Sequence, residues 1–324
     1  MKKRYRERTL LKGLMVVLLC LACLTGCQDK DTGLKAYESH FEDTKKLYIS
    51  SENKGMAAEL GVISPEQATD LSFSANVKAA LTINDDTDKV LLSYHAFDKV
   101  YPASITKVMT ALLTMEYADF EEEVTLSHNI TFDEGNVVRS MLKKGDTVTV
   151  EGLYNALLVS SDNDCAVILA EHIAGSVDSF ADMMNKRALE LGATSTHFVN
   201  ANGLHNENHY TTAYDLYLIF REAMKHDRFL STISQKDYTL EYANASGYGL
   251  EEYKISTNAY FNNTYPIPTG IDIVGGKTGT TSAAKSCLIL YTKNKQEETV
   301  ITVVLGAETK SLLYHTMSDL IVME

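Results

Sequence analysis

A serine and a lysine stand at a spacing that could activate the serine as a nucleophile. The motif Ser104-Ile-Thr-Lys107 opens an apolar pattern of helical period over residues 104–118. Side chains three residues apart share a helix face, so the lysine can reach the serine hydroxyl. A lysine can deprotonate that hydroxyl if burial or nearby cations lower its pKa, and a helix start offers N–H groups to an oxyanion. The simpler alternative is that Ser104 only caps its helix.

Two further motifs carry polar groups suited to a substrate cleft. Ser161-Asp-Asn163 interrupts an apolar helix pattern over residues 152–174, where a helical corner could direct a hydroxyl and an amide into a cleft. Lys277-Thr-Gly279 follows two glycines and precedes two threonines. A flat, glycine-bordered strand with a cation and a hydroxyl suits an extended peptide that ends in a free carboxylate. Taken singly, Ser161-Asp-Asn163 could be a helix N-cap, and Lys277-Thr-Gly279 could be a plain β-turn.

The three motifs together form a known set. A Ser-x-x-Lys, a Ser-x-Asn and a Lys-Thr-Gly in this order occur in class A β-lactamases and penicillin-binding proteins. From about residue 79 to residue 320 the sequence closely resembles the low-molecular-mass penicillin-binding proteins, the D-alanyl-D-alanine carboxypeptidases of the DacA type. The segments that carry this resemblance beyond the motifs are 142–151, 161–166, 198–204, 209–215 and 304–307.

The resemblance implies a serine-type carboxypeptidase that removes the terminal D-alanine from peptidoglycan stem pentapeptides through an acyl-enzyme. It implies that β-lactam antibiotics act as inhibitors and that no cofactor or metal is needed. Ser104 would attack the carbonyl between the two D-alanines, Lys107 would take the hydroxyl proton, and Ser161 would pass a proton to the leaving amine.

The resemblance also assigns the substrate-binding groups. Asn163 would bind the substrate backbone, and Lys277 and Thr278 on the strand that includes Gly279 would hold the terminal carboxylate. The N–H groups of Ser104 and Thr280 would form the oxyanion hole.

The sequence departs from the family pattern near that carboxylate. Members often have an arginine shortly after the strand ending Leu-Gly-Ala307, but residues 308–314 contain none. The family also tends to have Ala-Gly where this chain has Ala284-Lys285. We therefore keep Lys310 and Lys285 as candidate substitutes for the arginine.

The order of the local patterns predicts a single α+β domain over residues 56–324. Strand-like segments at 79–83 and 90–94 flank a turn, three helix patterns fill residues 152–191 and 212–225, and strand-like segments return at 238–242, 271–274, 286–291 and 299–305. A last helix covers about 311–323. With the resemblance, this predicts a β-lactamase/transpeptidase-like fold: an antiparallel sheet that joins both chain ends, flanked by helices, with an inserted helical lobe.

The N-terminus predicts export and lipid attachment. Residues 1–26 hold six basic and one acidic residue, and the apolar run 13–24 would span only about 18 Å as a helix, too short for a bilayer core of about 30 Å. The run ends in Leu24-Thr-Gly-Cys27, which resembles the bacterial lipobox. We expect a signal peptide over 1–26, lipidation of Cys27, a polar tether over 27–55 and an extracytoplasmic domain held on the outer face of the cytoplasmic membrane. An uncleaved anchor helix, or ordinary cleavage beside a chance cysteine, is the alternative.

Charge and composition exclude other classes. The net charge is −13. Because residues 1–26 carry a net charge of +5, the residues after position 26 carry −18 and would repel a nucleic acid backbone. Two body cysteines, Cys165 and Cys287, are too few for a disulfide scaffold and suit buried core positions, although a bridge between them stays open. His205 and His209 have the i, i+4 spacing of helical zinc ligands, but the preceding Asn-Gly favours a loop, so no metal is expected.

Two other functions share the predicted fold. A class A β-lactamase needs a glutamate-activated water for rapid deacylation, and residues 196–204 contain no glutamate. A non-catalytic antibiotic sensor or wall-binding lipoprotein would ordinarily have lost the nucleophile or the base, and both Ser104 and Lys107 are present.

Overall fold

The computed structural model describes residues 77–133, 135 and 137–323. The strands of this part are β1 (Ala79–Asn84), β2 (Lys89–Tyr94), β3 (Glu123–Thr125), β4 (Thr147–Thr149), β5 (Asp237–Ala243), β6 (Gly249–Ile255), β7 (Asp272–Thr281), β8 (Lys285–Lys293) and β9 (Thr299–Ala307). The α-helices are α1 (Lys107–Tyr117), α2 (Val150–Val159), α3 (Asn163–Ala174), α4 (Val177–Glu190), α5 (Ala213–Met224), α6 (Asp227–Ile233) and α7 (Lys310–Leu320). A turn of 3₁₀ helix, Ala103–Thr106, leads directly into α1.

The main sheet joins the two ends of the described chain. Its strand order is β2-β1-β9-β8-β7, and each neighbouring pair is antiparallel. The β1–β2 turn forms because the Asn84 side chain accepts hydrogen bonds from the N–H groups of Asp86 and Thr87. This arrangement confirms the predicted α+β fold with an antiparallel sheet built from both ends.

Helices cover both faces of the main sheet. Successive strand residues point to opposite faces, and every residue of β1 is buried. On one face, Ala80 and Val304 pack with Leu313 and Met317 of α7. On the other face, β1 and β9 contribute to a larger core around α1, whose residues from Lys107 to Thr114 are all buried. The start of α1 is therefore fixed between the sheet and the helical region.

A second antiparallel sheet, of order β3-β4-β5-β6, was not predicted. Only the segment 238–242, now part of β5, was recognised as strand-like, and it was expected in the main sheet. β3 and β4 have three residues each, too few to show an alternating pattern, and β6 carries charged residues on both faces. The helix α6 has seven residues and is likewise too short to show a clear helical pattern in the sequence.

The pattern over 152–174 is divided into α2 and α3 at residues 160–162, where the sequence predicts a helical corner. The helix expected from residue 104 needs correction, because the α-helix begins only at Lys107, after a turn of 3₁₀ helix. The side chain of Asp162 accepts hydrogen bonds from the N–H groups of Asp164 and Cys165, so it is Asp162 that caps α3.

The predicted signal peptide (1–26), Cys27, the tether (27–55) and the first residues of the predicted domain lie outside the described residues. Within residues 77–323 as described, no helix has the length and apolar character required to cross a bilayer.

Candidate active site

The three motifs meet at one cleft of about 500 Å³. It lies between β7, the 3₁₀ turn before α1 and the loop between α2 and α3. Its lining includes the predicted site residues Ser104, Ser161, Asn163, Thr278, Gly279 and Thr280. Residues separated by more than 170 positions in the chain are thus brought to a single site.

Ser104 and Lys107 form a close pair at the floor of this cleft. Ser104 is partly exposed on the 3₁₀ turn, whereas Lys107 is fully buried on the first turn of α1. Lys107 Nζ lies 3.0 Å from Ser104 Oγ, within hydrogen-bonding distance. It also donates to Asn163 Oδ1 at 2.9 Å and to the backbone oxygen of Asn202 at 2.7 Å. These two acceptors hold the amine on the serine hydroxyl.

Burial makes Lys107 a base near neutral pH. Removing the ammonium from water lowers the pKa of Lys107 to about 7, although the negative charge of Asp162 opposes part of this effect. A substantial fraction of the side chain is then the neutral amine, which can accept a proton. The pair can therefore deprotonate the serine hydroxyl at physiological pH.

Ser161 and Lys277 form a second pair across the cleft. Ser161 has a backbone φ of +65°, a conformation that is uncommon for a residue other than glycine and directs its side chain toward β7. Lys277 Nζ donates to Ser161 Oγ at 2.8 Å and to the backbone oxygen of Thr278 at 3.0 Å. Burial and the nearby charge of Lys107 hold the pKa of Lys277 well below its ordinary value. The hydroxyl of Ser161 thus has a proton donor or acceptor directly beside it.

Asn163 connects the lysine base to the cleft wall. Its Oδ1 accepts from Lys107, and its Nδ2 donates to the backbone oxygen of Val138 at 2.9 Å. The amide carries a second hydrogen on Nδ2, because an asparagine side chain has two N–H donors. That hydrogen can serve a bound peptide.

Strand β7 passes close to the backbone of the serine. A Cβ atom on Gly279 would lie 2.9 Å from the Ser104 nitrogen and 3.0 Å from the Pro102 oxygen, too close for any larger residue. The glycine therefore permits the contact between β7 and the 3₁₀ turn. Thr278 and Thr280 flank it on the cleft side, and Thr278 Oγ1 hydrogen-bonds Thr257 Oγ1. This edge has the polar groups needed to dock a peptide terminus.

The turn that presents Ser104 is held by residues to which sequence reasoning gave no role in the site. Ala103 has φ +48°, and its oxygen accepts a hydrogen bond from Thr106 Oγ1 at 2.8 Å. Thr106 Oγ1 in turn lies 2.8 Å from Nε2 of His209. Because the Val199 N–H donates to Nδ1 of His209, that ring carries its proton on Nε2 and donates to Thr106. Burial lowers the pKa of His209 to about 3, so the ring is neutral.

Gly203 supports the same turn from the other side. It has φ +83°, and a Cβ atom there would lie 1.9 Å from the Ala103 oxygen. We expect Gly203→Ala to lower the free energy of unfolding by about 2–4 kcal/mol, because it adds backbone strain to a clash with a buried carbonyl. Chemical denaturation followed by circular dichroism measures this change. Gly247→Ala is the matched control, since Gly247 also has positive φ but nothing within 4 Å of a Cβ atom. Equal losses in the two variants would contradict the role given to the contact with Ala103.

The two lysines considered in place of the missing arginine lie in different surroundings. Lys310, the first residue of α7, lines the cleft, with its Nζ 6.0 Å from the centre of the Tyr314 ring. Lys285 is paired with Glu308 at 3.2 Å and is not among the lining residues. The geometry favours Lys310 as a second cation in the cleft.

The structure gives packing or hydrogen-bonding positions to the two histidines with zinc-ligand spacing and buries the two body cysteines. His205 packs edge-on against the Tyr101 ring at 4.8 Å, while both ring nitrogens of His209 are engaged as described above. Among the described residues, no group of three or more His, Cys, Asp or Glu side chains is placed to hold a metal. Cys165 and Cys287 are both buried and free, so the alternative of a bridge between them is wrong.

Similarity to solved structures supports the same assignment of the fold. The structure resembles the Streptomyces K15 DD-transpeptidase with a TM-score of 0.69 and 26% sequence identity, covering 76% of this chain and 96% of that one. It also resembles penicillin-binding protein D2 from Listeria monocytogenes, solved with cefotaxime bound, with a TM-score of 0.62 and 26% identity over the same shares of the two chains. The chain therefore has the penicillin-binding/transpeptidase fold.

The sequence comparisons identify the family. Residues 64–309 match the family model described as D-alanyl-D-alanine carboxypeptidase. The chain is 35% identical to D-alanyl-D-alanine carboxypeptidase DacF from Bacillus subtilis over 72% of its length, and 27% identical to DacC from Escherichia coli over 76%. This protein belongs to the D-alanyl-D-alanine carboxypeptidase family. It spans 58% of the length of DacF and 61% of the length of DacC.

Proposed function

We propose that this protein is a serine-type D-Ala-D-Ala carboxypeptidase that acts on the stem pentapeptides of peptidoglycan and is acylated by β-lactam antibiotics. The observation that carries the proposal is the contact of 3.0 Å between Ser104 Oγ and the buried Nζ of Lys107. It lies in the same cleft as the Ser161–Lys277 pair and the edge of β7. The family match and the fold support the same chemistry.

In the acylation step, neutral Lys107 accepts the hydroxyl proton of Ser104. The Ser104 oxygen attacks the carbonyl carbon between the two D-alanines, forming a C–O bond and an oxyanion. The N–H groups of Ser104 and Thr280 are proposed to bind this oxyanion, since Gly279 places β7 against the turn that carries the serine.

Collapse of the intermediate breaks the C–N bond and releases D-alanine. The leaving nitrogen needs a proton, which Ser161 can donate and regain from Lys277 at 2.8 Å. A water molecule then attacks the ester at Ser104, and Lys107 returns its proton to the Ser104 oxygen. One proton of the water restores Lys277, the other passes to solvent, and the shortened peptide leaves as a carboxylate. Asn163 would donate its free N–H to the peptide backbone during both steps.

The terminal carboxylate of the substrate is proposed to dock on β7. The side chains of Thr278 and Lys310 both line the cleft, and Lys277, the residue before Thr278 on β7, is buried. A β-lactam also carries a carboxylate beside its reactive carbonyl, so it would dock in the same way and acylate Ser104.

The experiment that tests this activity follows D-alanine release. The purified protein is incubated with a muropeptide ending in D-Ala-D-Ala, and mass spectrometry records the loss of one alanine. We expect the tetrapeptide product from the wild type and none from Ser104→Ala. No product from a folded, penicillin-reactive wild type would overturn the proposed substrate, and rapid turnover of penicillin itself would indicate a β-lactamase instead.

The reaction is expected to lose rate as the pH falls through about 7. Below the pKa of about 7, Lys107 is increasingly protonated and cannot accept the serine proton. The acylation rate should therefore rise with pH up to about 7, and fall roughly tenfold for each unit below it. Stopped-flow labelling with a fluorescent penicillin between pH 5 and pH 9 measures this profile. A rate that is flat over this range would exclude Lys107 as the titrating base.

We further propose that Cys27 is lipidated and holds the domain on the outer face of the cytoplasmic membrane. This rests on the lipobox-like sequence Leu24-Thr-Gly-Cys27 and on the basic, apolar segment before it. Stable anchoring by lipid needs more than one acyl chain, as bacterial lipoprotein modification would supply. We expect Cys27→Ser to leave the activity intact while the protein leaves the membrane fraction. If the variant sedimented with membranes as firmly as the wild type, lipid anchoring would be refuted.

A further inference from the structure

A buried lysine outside the three motifs lies directly behind the active site. Lys254 stands on β6, and its side chain is 4% exposed. Its Nζ donates to Asp162 Oδ2 at 2.8 Å and to Glu252 Oε1 at 2.7 Å. The Asp162 side chain is completely buried, so Lys254 is the cation that compensates a carboxylate removed from water.

Asp162 separates two residues of the proposed reaction. Ser161 and Asn163 precede and follow it, and each side chain is hydrogen-bonded to one of the two buried lysines of the cleft. Asp162 Oδ1 caps α3 through the N–H groups of Asp164 and Cys165, while Oδ2 faces Lys254. One carboxylate thus joins the start of α3 to the second sheet. Since Ser161 is held at positive φ, its conformation depends on such fixed neighbours.

Lys254 also contacts the segment 138–141, which contributes Val138 to the cleft wall. The Lys254 ammonium lies 3.4 Å from the backbone oxygen of Arg139, and Glu252 Oε2 accepts from the Met141 N–H at 2.9 Å. The same segment is attached to Asn163 through the Val138 oxygen. Lys254 therefore lies where the second sheet, the Ser161–Asn163 loop and the cleft wall meet.

We propose that Lys254 is a positioning residue for the reaction, which acts by holding Asp162 and the Arg139 carbonyl so that Ser161 and Asn163 face the two buried lysines. The expected effect of Lys254 on catalysis rests on the proposed function, whereas its expected effect on the loop does not. Neither Lys254 nor its sheet belongs to the motifs from which the site was predicted.

The effect of Lys254 on the loop can be tested without measuring enzyme activity. Hydrogen exchange measured by mass spectrometry on Lys254→Met should show lost protection in peptides covering residues 162–165 and 138–141, while those from β8 and β9 stay protected. Arg221→Met is the matched control, because it removes the 2.7 Å ion pair with Asp85, away from the cleft. If Lys254→Met does not fold, Asp162→Asn removes the same ion pair while retaining a side-chain oxygen to cap α3. Wild-type protection of residues 162–165 in the folded variant would overturn the proposal.

The catalytic part is tested on the same proteins. In Lys254→Met we expect the acylation rate with penicillin and kcat for D-alanine release to fall roughly ten- to a hundredfold. KM should change much less, and Lys254→Arg should lie nearer the wild type because it keeps the charge. Arg221→Met should lose stability without losing rate. Altered exchange with wild-type rates would refute the positioning role, whereas an inactive wild type would refute the proposed function and leave the exchange result standing.

Discussion

Lys107→Ala is expected to lower the rate of Ser104 acylation by about 10²–10⁴-fold, the usual contribution of a positioned general base. The reason is the contact of 3.0 Å between the amine and the serine hydroxyl, with a pKa near neutrality imposed by burial. The protein should remain folded, because a buried ammonium is costly to the native state and its loss removes that cost. Acylation by a fluorescent penicillin, with thermal unfolding in parallel, measures both effects.

Lys107→Arg tests whether Ser104 needs a base or only a positive charge beside it. A guanidinium stays protonated in proteins and cannot accept the serine proton, so this variant should be as slow as Lys107→Ala. Near-normal acylation by either folded variant would remove Lys107 from the mechanism. Slow acylation by Lys107→Ala alone would show that a positive charge, and not a base, is what Ser104 requires.

The second large effect is expected for Lys277→Ala, which should lower kcat/KM for D-alanine release by roughly one to two orders of magnitude at least. A charge-assisted hydrogen bond contributes about 1.5–3 kcal/mol, and each 1.36 kcal/mol is a factor of ten in rate. Lys277, on β7, donates to the Ser161 hydroxyl at 2.8 Å, so its loss should affect proton transfer as well as the carboxylate binding proposed for this strand.

The other two lysines provide the comparison. Because Lys310 lines the cleft, Lys310→Ala should lower kcat/KM by a smaller factor than Lys277→Ala, mainly by raising KM. Lys285 is paired with Glu308, so Lys285→Ala should stay close to the wild type. If Lys310→Ala matched the loss in Lys277→Ala, the two cations would share the carboxylate. If Lys277→Ala kept full activity, the role assigned to the Lys-Thr-Gly strand would be wrong.

The sequence predicts the part of this site that is encoded locally. Ser104 and Lys107 are three residues apart, so their contact follows from helical geometry once the turn is known. Ser161 and Asn163 were expected at a helical corner, and the structure places Ser161 between α2 and α3 and Asn163 as the first residue of α3. The main sheet was predicted because its long strands are apolar and lie near both ends of the domain.

What the sequence did not reveal depends on contacts between distant residues. The Asn202 carbonyl that holds Lys107 is 95 positions away, and a backbone oxygen leaves no trace in residue type. The i, i+4 spacing of His205 and His209 matches that of helical zinc ligands, although the loop expected there argues against a metal; that His209 holds the turn before Ser104 through Thr106 has no signal in the sequence. Lys254 stands in a strand rich in charged residues, where nothing distinguishes it from a solvated lysine until β6 is folded against Asp162.

Mapping of the acylated residue tests the central claim most directly. The purified protein is treated with penicillin, digested, and the peptide carrying the antibiotic is sequenced by tandem mass spectrometry. The account predicts one adduct, on Ser104, in the peptide that contains Ser-Ile-Thr-Lys107, and none in Ser104→Ala. An adduct on Ser161 or any other residue, or no adduct on a folded wild-type protein, would contradict it.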